Sequence, residues 1–218
     1  MRIALVSDMH GNAVAFRAAL AELEHHEPDL IVSLGDVAQG GPQPRECVEL
    51  LQGLGCPCVY GNSDHFLVTL EGGEEEVTEQ QLTTARWSRE QLGEDGLEFL
   101  RGFAPTVEAG RILCCHATPT SNEDVVLPST PPEEVGSFDC DAVAAGHVHQ
   151  QWLRRFDELL WFCVGAIGIS SHCEYALADS ETLAVEFRRI AYDVDELIAN
   201  ARAKEFPFFE QWATQWER

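Results

Sequence analysis

The feature that most constrains this chain is the alternation, in its first sixty residues, of short apolar runs with segments of helical spacing. "RIALVS" (2–7) is an apolar run of strand length. "AVAFRAALAELEHHE" (13–27) then repeats apolar residues at helical intervals behind Asn12, a good N-cap. "DLIVSLG" (29–35) reads as a second strand. "PRECVELLQGLG" (44–55) reads as a helix opened by Pro44 and closed by glycine, and "CPCVYG" (56–61) as a third strand. Strands that alternate with helices predict a parallel sheet covered by helices, because a parallel neighbour needs a crossover connection.

The pattern changes after residue 70. "EGGEEEVTE" (71–79) reads as an acidic, solvated loop, and residues 80–103 as one broken helix or two. Strands return at 106–110 and 111–117, followed by an irregular stretch from Thr118 to Pro132. After "DAVAAGH" (141–147) come "QQWLRRFD", "LLWFCVG", "EYALADS" and "TLAVEFRRIA", with Asp-Glu and Asp-Ser-Glu-Thr turns between some of them, as expected of antiparallel hairpins. The tail is helical and interrupted near Pro207. Its aromatic residues Phe206, Phe208, Phe209, Trp212 and Trp216 are expected to dock it on the core. No repeat, low-complexity tract or linker is visible. The expectation is one domain over 1–218, with a helical insertion at about 64–102 and a C-terminal helix at about 193–217.

Charge narrows the function classes. Fourteen basic residues face 37 acidic ones, a formal −23, and Lys204 is the sole lysine. Such a surface repels extended nucleic acid and anionic membranes. A phosphate-handling site here needs positive charge from elsewhere, and bound metal ions supply it. No run approaches the ~20 apolar residues of a membrane span, and Met1-Arg2 leads straight into a strand rather than a signal peptide, so a cytoplasmic location is expected. The eight cysteines form no C-x-x-C pair and mostly lie in strand-like runs, as buried reduced thiols do.

Five segments share one design, in which an apolar run ends and metal-ligating side chains follow at once. They are Asp8-Met9-His10, Gly35-Asp36, Gly61-Asn62, His116, and Gly146-His147-Val148-His149. Ligands of open α/β sheets bind beyond the carboxyl ends of the strands, so all five tips can converge on one edge. The glycines are expected to let the backbone turn there. Each motif alone is ordinary turn chemistry. Together, three oxygen ligands and four imidazoles suit a pair of first-row transition ions, with no soft thiolate among them.

The ordered segments Asp-x-His, Gly-Asp, Gly-Asn-x-Asp, His and Gly-His-x-His resemble the calcineurin-like metallophosphoesterases. "SDMHGNAVAF", "GDVAQGGPQPRECVELL", "YGNSDHFLV", "CCHATPTSNEDVVLP" and "AAGHVHQQW" resemble in particular the bacterial diadenosine-tetraphosphatase-like or YfcE-like branch. The resemblance implies an α/β, four-layer α/β/β/α sandwich with two central mixed sheets. It implies two divalent ions, manganese first among iron, zinc, nickel and cobalt. Asp8, His10 and His149 would hold one ion, Asn62, His116 and His147 the other, and Asp36 would bridge them. The implied activity is hydrolysis of a phosphodiester or nucleotide-type ester by in-line attack of a metal-bound hydroxide.

One position departs from part of the family. Ser63 follows Asn62 where the phosphoprotein phosphatases carry a histidine, and a hydroxyl is too weak an acid to replace an imidazolium. Either the metals suffice for a good leaving group, or His65 reaches in as the acid, which makes His65, Asn62 and Asp36 the candidate catalytic residues. Asp64 is expected to cap the following helix. The rival readings are a metal-binding scaffold on the same fold, which the full ligand set disfavours, and a phosphomonoesterase or protein phosphatase. The expected partner is a small phosphate ester.

Overall fold

The computed structural model describes residues 1–71 and 77–216. The core of the expected acidic loop (72–76) and the last residue of the expected C-terminal helix (217), with 218 after it, lie outside them. Two mixed sheets face each other. The first has the order β2-β1-β8-β9, from β1 (Arg2–Val6), β2 (Leu30–Ser33), β8 (His172–Asp179) and β9 (Val185–Ala191). The second has the order β3-β4-β5-β7-β6, from β3 (Thr106–Ala109), β4 (Ile112–Cys115), β5 (Ala142–Ala145), β6 (Gln151–Phe156) and β7 (Leu159–Val164).

Period-two alternation sorts each strand between two cores. Ile3 and Leu5 of β1 point between the sheets, where they join Val32, Cys114, Ala144, Phe162 and Val164. Ala4 and Val6 point outward against the helices, in a core with Phe16, Val48, Leu92 and Leu197. The second sheet repeats the division. Its outer residues Val143, Trp161 and Cys163 are covered by Val126 and Val135, from the irregular stretch and the short α5 (Pro132–Val135). The helical layer is therefore deep over the first sheet and thin over the second.

Over the first sheet lie α1 (Ala13–Leu23), α2 (Pro44–Leu54), α3 (Asn62–Thr69), α4 (Glu79–Arg101) and α6 (Val194–Ala203). Asn12 caps α1, its Oδ1 accepting from Ala15 N–H at 3.0 Å. Gly55 ends α2 in the left-handed region, at φ 58°. The expected break in the long helix falls at Gly93, whose φ of 66° no helix interior tolerates. The tail breaks around Pro207, between α6 and α7 (Phe209–Ala213). No helix among the described residues is long and apolar enough to cross a membrane.

One expectation changes. The third strand survives only as bridges, Ser33 to Cys58 and Val59 to Ala104, because Pro57 brings no N–H to a ladder and Gly61 soon turns the chain. The late strands pair as two antiparallel hairpins, as expected, but in different sheets. β6–β7 joins the second sheet with β7 parallel to β5, while β8–β9 crosses to the first with β8 antiparallel to β1. His172 opens β8 opposite Ala191. All eight cysteines are free thiols.

Candidate metal centre

Seven side chains named from the sequence come together at the strand tips, and backbone hydrogen bonds hold the tips to one another. Asp8 N–H donates to Gly35 O at 3.0 Å and His10 N–H to Asp36 O at 2.9 Å. Gly146 N–H donates to His116 O at 2.8 Å, and Gly168 N–H to Asp8 O at 2.9 Å. His147 N–H closes the ring onto the Asp8 carboxylate at 3.1 Å.

Gly35 turns the chain as expected, at φ 96°, and the polar residues themselves do the rest. Asp8, His10, Asp36, His147 and His149 all have positive φ, between 46° and 61°. Non-glycine residues visit this region rarely and at a cost of order 1–3 kcal/mol each. Two glycines that were expected to turn the chain do something else. Gly61 has φ −85°, and a Cβ there would lie 2.2 Å from Asp36 Oδ1. A Cβ on Gly146 would lie 2.0 Å from Ser7 Oγ and 2.7 Å from Asp8 Oδ2. Both glycines make room for a carboxylate.

The seven divide into two groups around Asp36. In the first, ligand atoms of Asp8, His10, Asp36 and His149 all lie within 4.8 Å of one another. His149 Nε2 is 3.1 Å from Asp8 Oδ1 and 3.2 Å from His10 Nε2. In the second, Asn62 Oδ1 is 2.9 Å from His116 Nε2 and 3.1 Å from His147 Nδ1. Asp36 faces both, with Oδ2 3.6 Å from His10 Nε2 and Oδ1 3.4 Å from His116 Nε2.

The far side of three of the rings fixes one proton on each. His10 Nδ1 donates to Gln39 O at 2.9 Å and His116 Nδ1 to Leu34 O at 2.7 Å. His147 Nε2 donates to Glu123 O at 3.1 Å. The opposite nitrogens therefore face the centre, where a cation can take the place of a second proton. In the second group those nitrogens meet Asn62 Oδ1, itself an acceptor, so a proton or a cation must stand between them. Such an arrangement is satisfied by a cation, and this hard-to-borderline donor set fits a divalent transition ion.

The electrostatics agree. Asp8 is fully buried, which would raise its pKa, yet hydrogen bonds from His10 and His149 hold it well below the usual carboxylate range. Burial depresses His10, but its hydrogen bond to Asp8 and the charge of Asp36 outweigh that and lift it to about 9. Burial and the neighbouring His116 push His147 down, so it stays neutral.

Ser63 and Asp64 have supporting jobs that the sequence did not disclose. Ser63 clamps Asp36 twice, its N–H donating to Oδ1 and its hydroxyl to Oδ2, each at 2.8 Å. Asp64 caps α3 at Gly61 N–H (3.1 Å) as expected, and also accepts from Asp36 N–H (2.8 Å) and Val37 N–H (2.9 Å). Burial and the Asp36 charge raise Asp64 to about 6. His65 lies one turn beyond Asn62, its ring edge-on to Tyr60 at 5.9 Å, and shares no hydrogen bond with the seven. His25 and His26 stay remote, bonded to Ala21 O and Glu22.

Comparison with known proteins follows the same outline. A family model described as the calcineurin-like phosphoesterase superfamily domain matches residues 1–183. The crystal structure of a metallophosphoesterase from Sphaerobacter thermophilus superposes with a TM-score of 0.84 at 25% identity, covering 99% of this chain and 97% of that one. A hypothetical protein, PH1004, from Pyrococcus horikoshii OT3 gives 0.87 at 21% identity, covering 99% and 98%. A putative diadenosine tetraphosphatase shares the fold at 0.59 and 18% identity, covering 88% and 94%. The chain belongs to the calcineurin-like phosphoesterase superfamily.

Proposed function

We propose that this chain hydrolyses phosphodiester or nucleotide-type phosphate esters at a two-ion centre. Asp8, His10 and His149 would hold one ion, and Asn62, His116 and His147 the other. Asp36 would be shared between them. The observation that carries the reading is the convergence of nitrogen and oxygen ligand atoms in two groups on either side of one carboxylate. A pair of divalent ions, manganese foremost, supplies an acidified water as nucleophile and a clamp on the phosphoryl oxygens.

The chain's own residues then have separate tasks. Asp36 places a negative charge between the groups, and Ser63 fixes its two oxygens. Asp64 fixes the backbone from which Asp36 projects. The neutral amide and imidazoles of the second group leave the centre net positive, so a phosphate binds despite the acidic surface. Ser63, committed to Asp36, is not placed as an acid. His65 remains the candidate acid, against the alternative that the metals and water suffice for a good leaving group.

The test is hydrolysis of a nitrophenyl phosphomonoester and a bis-nitrophenyl phosphodiester by protein stripped of metal and reloaded with manganese, nickel, zinc or iron. Metal-dependent turnover that favours the diester supports the reading. A preference for the monoester moves the chain toward the phosphatase alternative, and no turnover with two ions bound leaves a narrow natural substrate or the scaffold. His65→Ala sharpens the acid assignment. It should slow an alkyl ester about 10²-fold or more while sparing the nitrophenyl ester, whose leaving group needs no proton.

A further inference from the structure

A cleft of about 510 Å³ opens beside His149 and is lined by residues at and before the start of β8. Its walls include Gln150, Ile169, Ser170, Glu174 and Arg189. The floor is fixed. Tyr192 hydroxyl donates to Ser170 O at 2.7 Å, Asn12 Nδ2 donates to that hydroxyl at 3.0 Å, and Ser170 hydroxyl donates to His172 O at 2.8 Å.

Arg189 stands out among the arginines. Most of the others are engaged. Arg188, its neighbour on β9, bonds Glu22 and Glu186, Arg45 bonds Glu49, Leu92 O and Asp95, and Arg89 bonds two carbonyls at the end of α3. The Arg189 side chain makes no hydrogen bond with any described residue, which is true of Arg86 and Arg202 as well, but neither of those lines the cleft. Its Nε is ion-paired with Glu174, directly opposite on β8, at 3.6 Å, beyond hydrogen-bond length. The side chain is 61% exposed and has hydrogen-bonding capacity left over. In a chain of net charge −23, such an arginine on the wall of the cleft that includes His149 is where an anion other than the reacting phosphate would settle.

We infer that Arg189 forms a second anion subsite, which takes a phosphate of the substrate that is not the one hydrolysed. Glu174 holds the guanidinium over the cleft, and Ser170 and Gln150 offer polar groups beside it. The substrate thus carries at least two phosphates, either adjacent in a polyphosphate chain or esterified to separate carbons. The inference rests on the phosphoesterase reading for the word substrate, but the subsite itself does not depend on turnover.

Calorimetry on the metal-loaded protein separates these cases. The ligands are inorganic phosphate, a methylene-linked analogue of adenosine diphosphate, and adenosine 3′,5′-bisphosphate. The wild type should bind at least one of the two-phosphate ligands more tightly than phosphate, and the ligand preferred tells adjacent from separated phosphates. Arg189→Gln should reduce that preference about tenfold or more, the scale of a lost charge-assisted hydrogen-bond pair, and Arg189→Lys should restore part of it. The same preference in wild type and Arg189→Gln overturns the subsite, as does a wild type that shows no preference. A wild type that turns over neither nitrophenyl ester, yet shows an Arg189-dependent preference, overturns the phosphoesterase reading and leaves the subsite standing.

Discussion

The two halves of the centre are built to different standards. The Asp8–His10–His149 group carries its own carboxylate, Asp8, at 0% exposure, its oxygens held by His147 N–H and His149 and its backbone by Gly35 and Gly168. The Asn62–His116–His147 group is neutral apart from the shared Asp36. One of its imidazoles is braced only by Glu123 O, in the irregular stretch outside the second sheet. Carboxylates bind divalent ions more strongly than an amide does, and braced ligands lose less freedom on binding. The first group should therefore keep its ion longer. Chelator titration monitored by metal content should show one ion released before the other, and Asn62→Ala should remove only the easily lost one.

The largest break in this comparison is the residue that belongs to both halves. Asp36→Asn keeps the shape but removes the shared charge, so both ions should be lost and hydrolysis should fall more than about 100-fold, beyond what loss of an outer-sphere partner costs. Metal content per chain decides it. Full occupancy with full activity would sink the bridging assignment. Gly146→Ala should come next and act on one side. Its Cβ would stand 2.7 Å from Asp8 Oδ2, so the tight group should fail while the Asn62 group still binds. Loss of both ions in that variant would mean that the halves are not separable.

A smaller effect tests the clamp. Ser63→Ala removes one hydroxyl donor to Asp36 Oδ2 and leaves the backbone donor to Oδ1. Metal affinity should drop about tenfold in both halves, within the range for an outer-sphere partner. If only turnover of poor leaving groups falls, with metal binding intact, Ser63 acts on the substrate instead.

What could be read in the sequence, and what could not, follows a physical divide. The seven polar residues at the tips were legible because each is a local event, an apolar run followed at once by a ligating side chain, and the α/β alternation tells where such tips gather. The positive φ of five of them was not, since nothing in Asp-Met-His announces left-handed backbone; the surrounding hydrogen bonds impose it. Ser63 looked inert because its partner, Asp36, is 27 residues away. The third strand looked complete because Pro57 counts as an apolar neighbour in a pattern while being useless to a ladder. The cleft beside His149 was invisible for a similar reason. Glu174 and Arg189 are brought opposite each other by β8–β9 pairing, and β8 sits in the first sheet only because it crosses over to β1.

The smallest expected effect concerns why the Asp8 half is so well braced. The aromatic tail docks there. Trp212 packs between Phe206 and Trp216, at 5.3 and 5.6 Å between ring centres, and its indole N–H donates to Gly40 O at 3.1 Å. Gly40 follows Gln39, whose carbonyl receives His10 Nδ1–H. The loop that sets the His10 tautomer is thus tied at one end to α7. Trp212→Phe keeps an aromatic ring and deletes the N–H, at a cost of about 0.5–1.5 kcal/mol. Thermal stability should fall by a few degrees at most. If the tie serves His10, affinity for the tightly held ion should weaken several-fold while the Asn62-side ion is unmoved. Equal weakening of both, or of neither, would make the tail a matter of folding alone. The two halves would then owe their difference to ligand charge rather than to bracing.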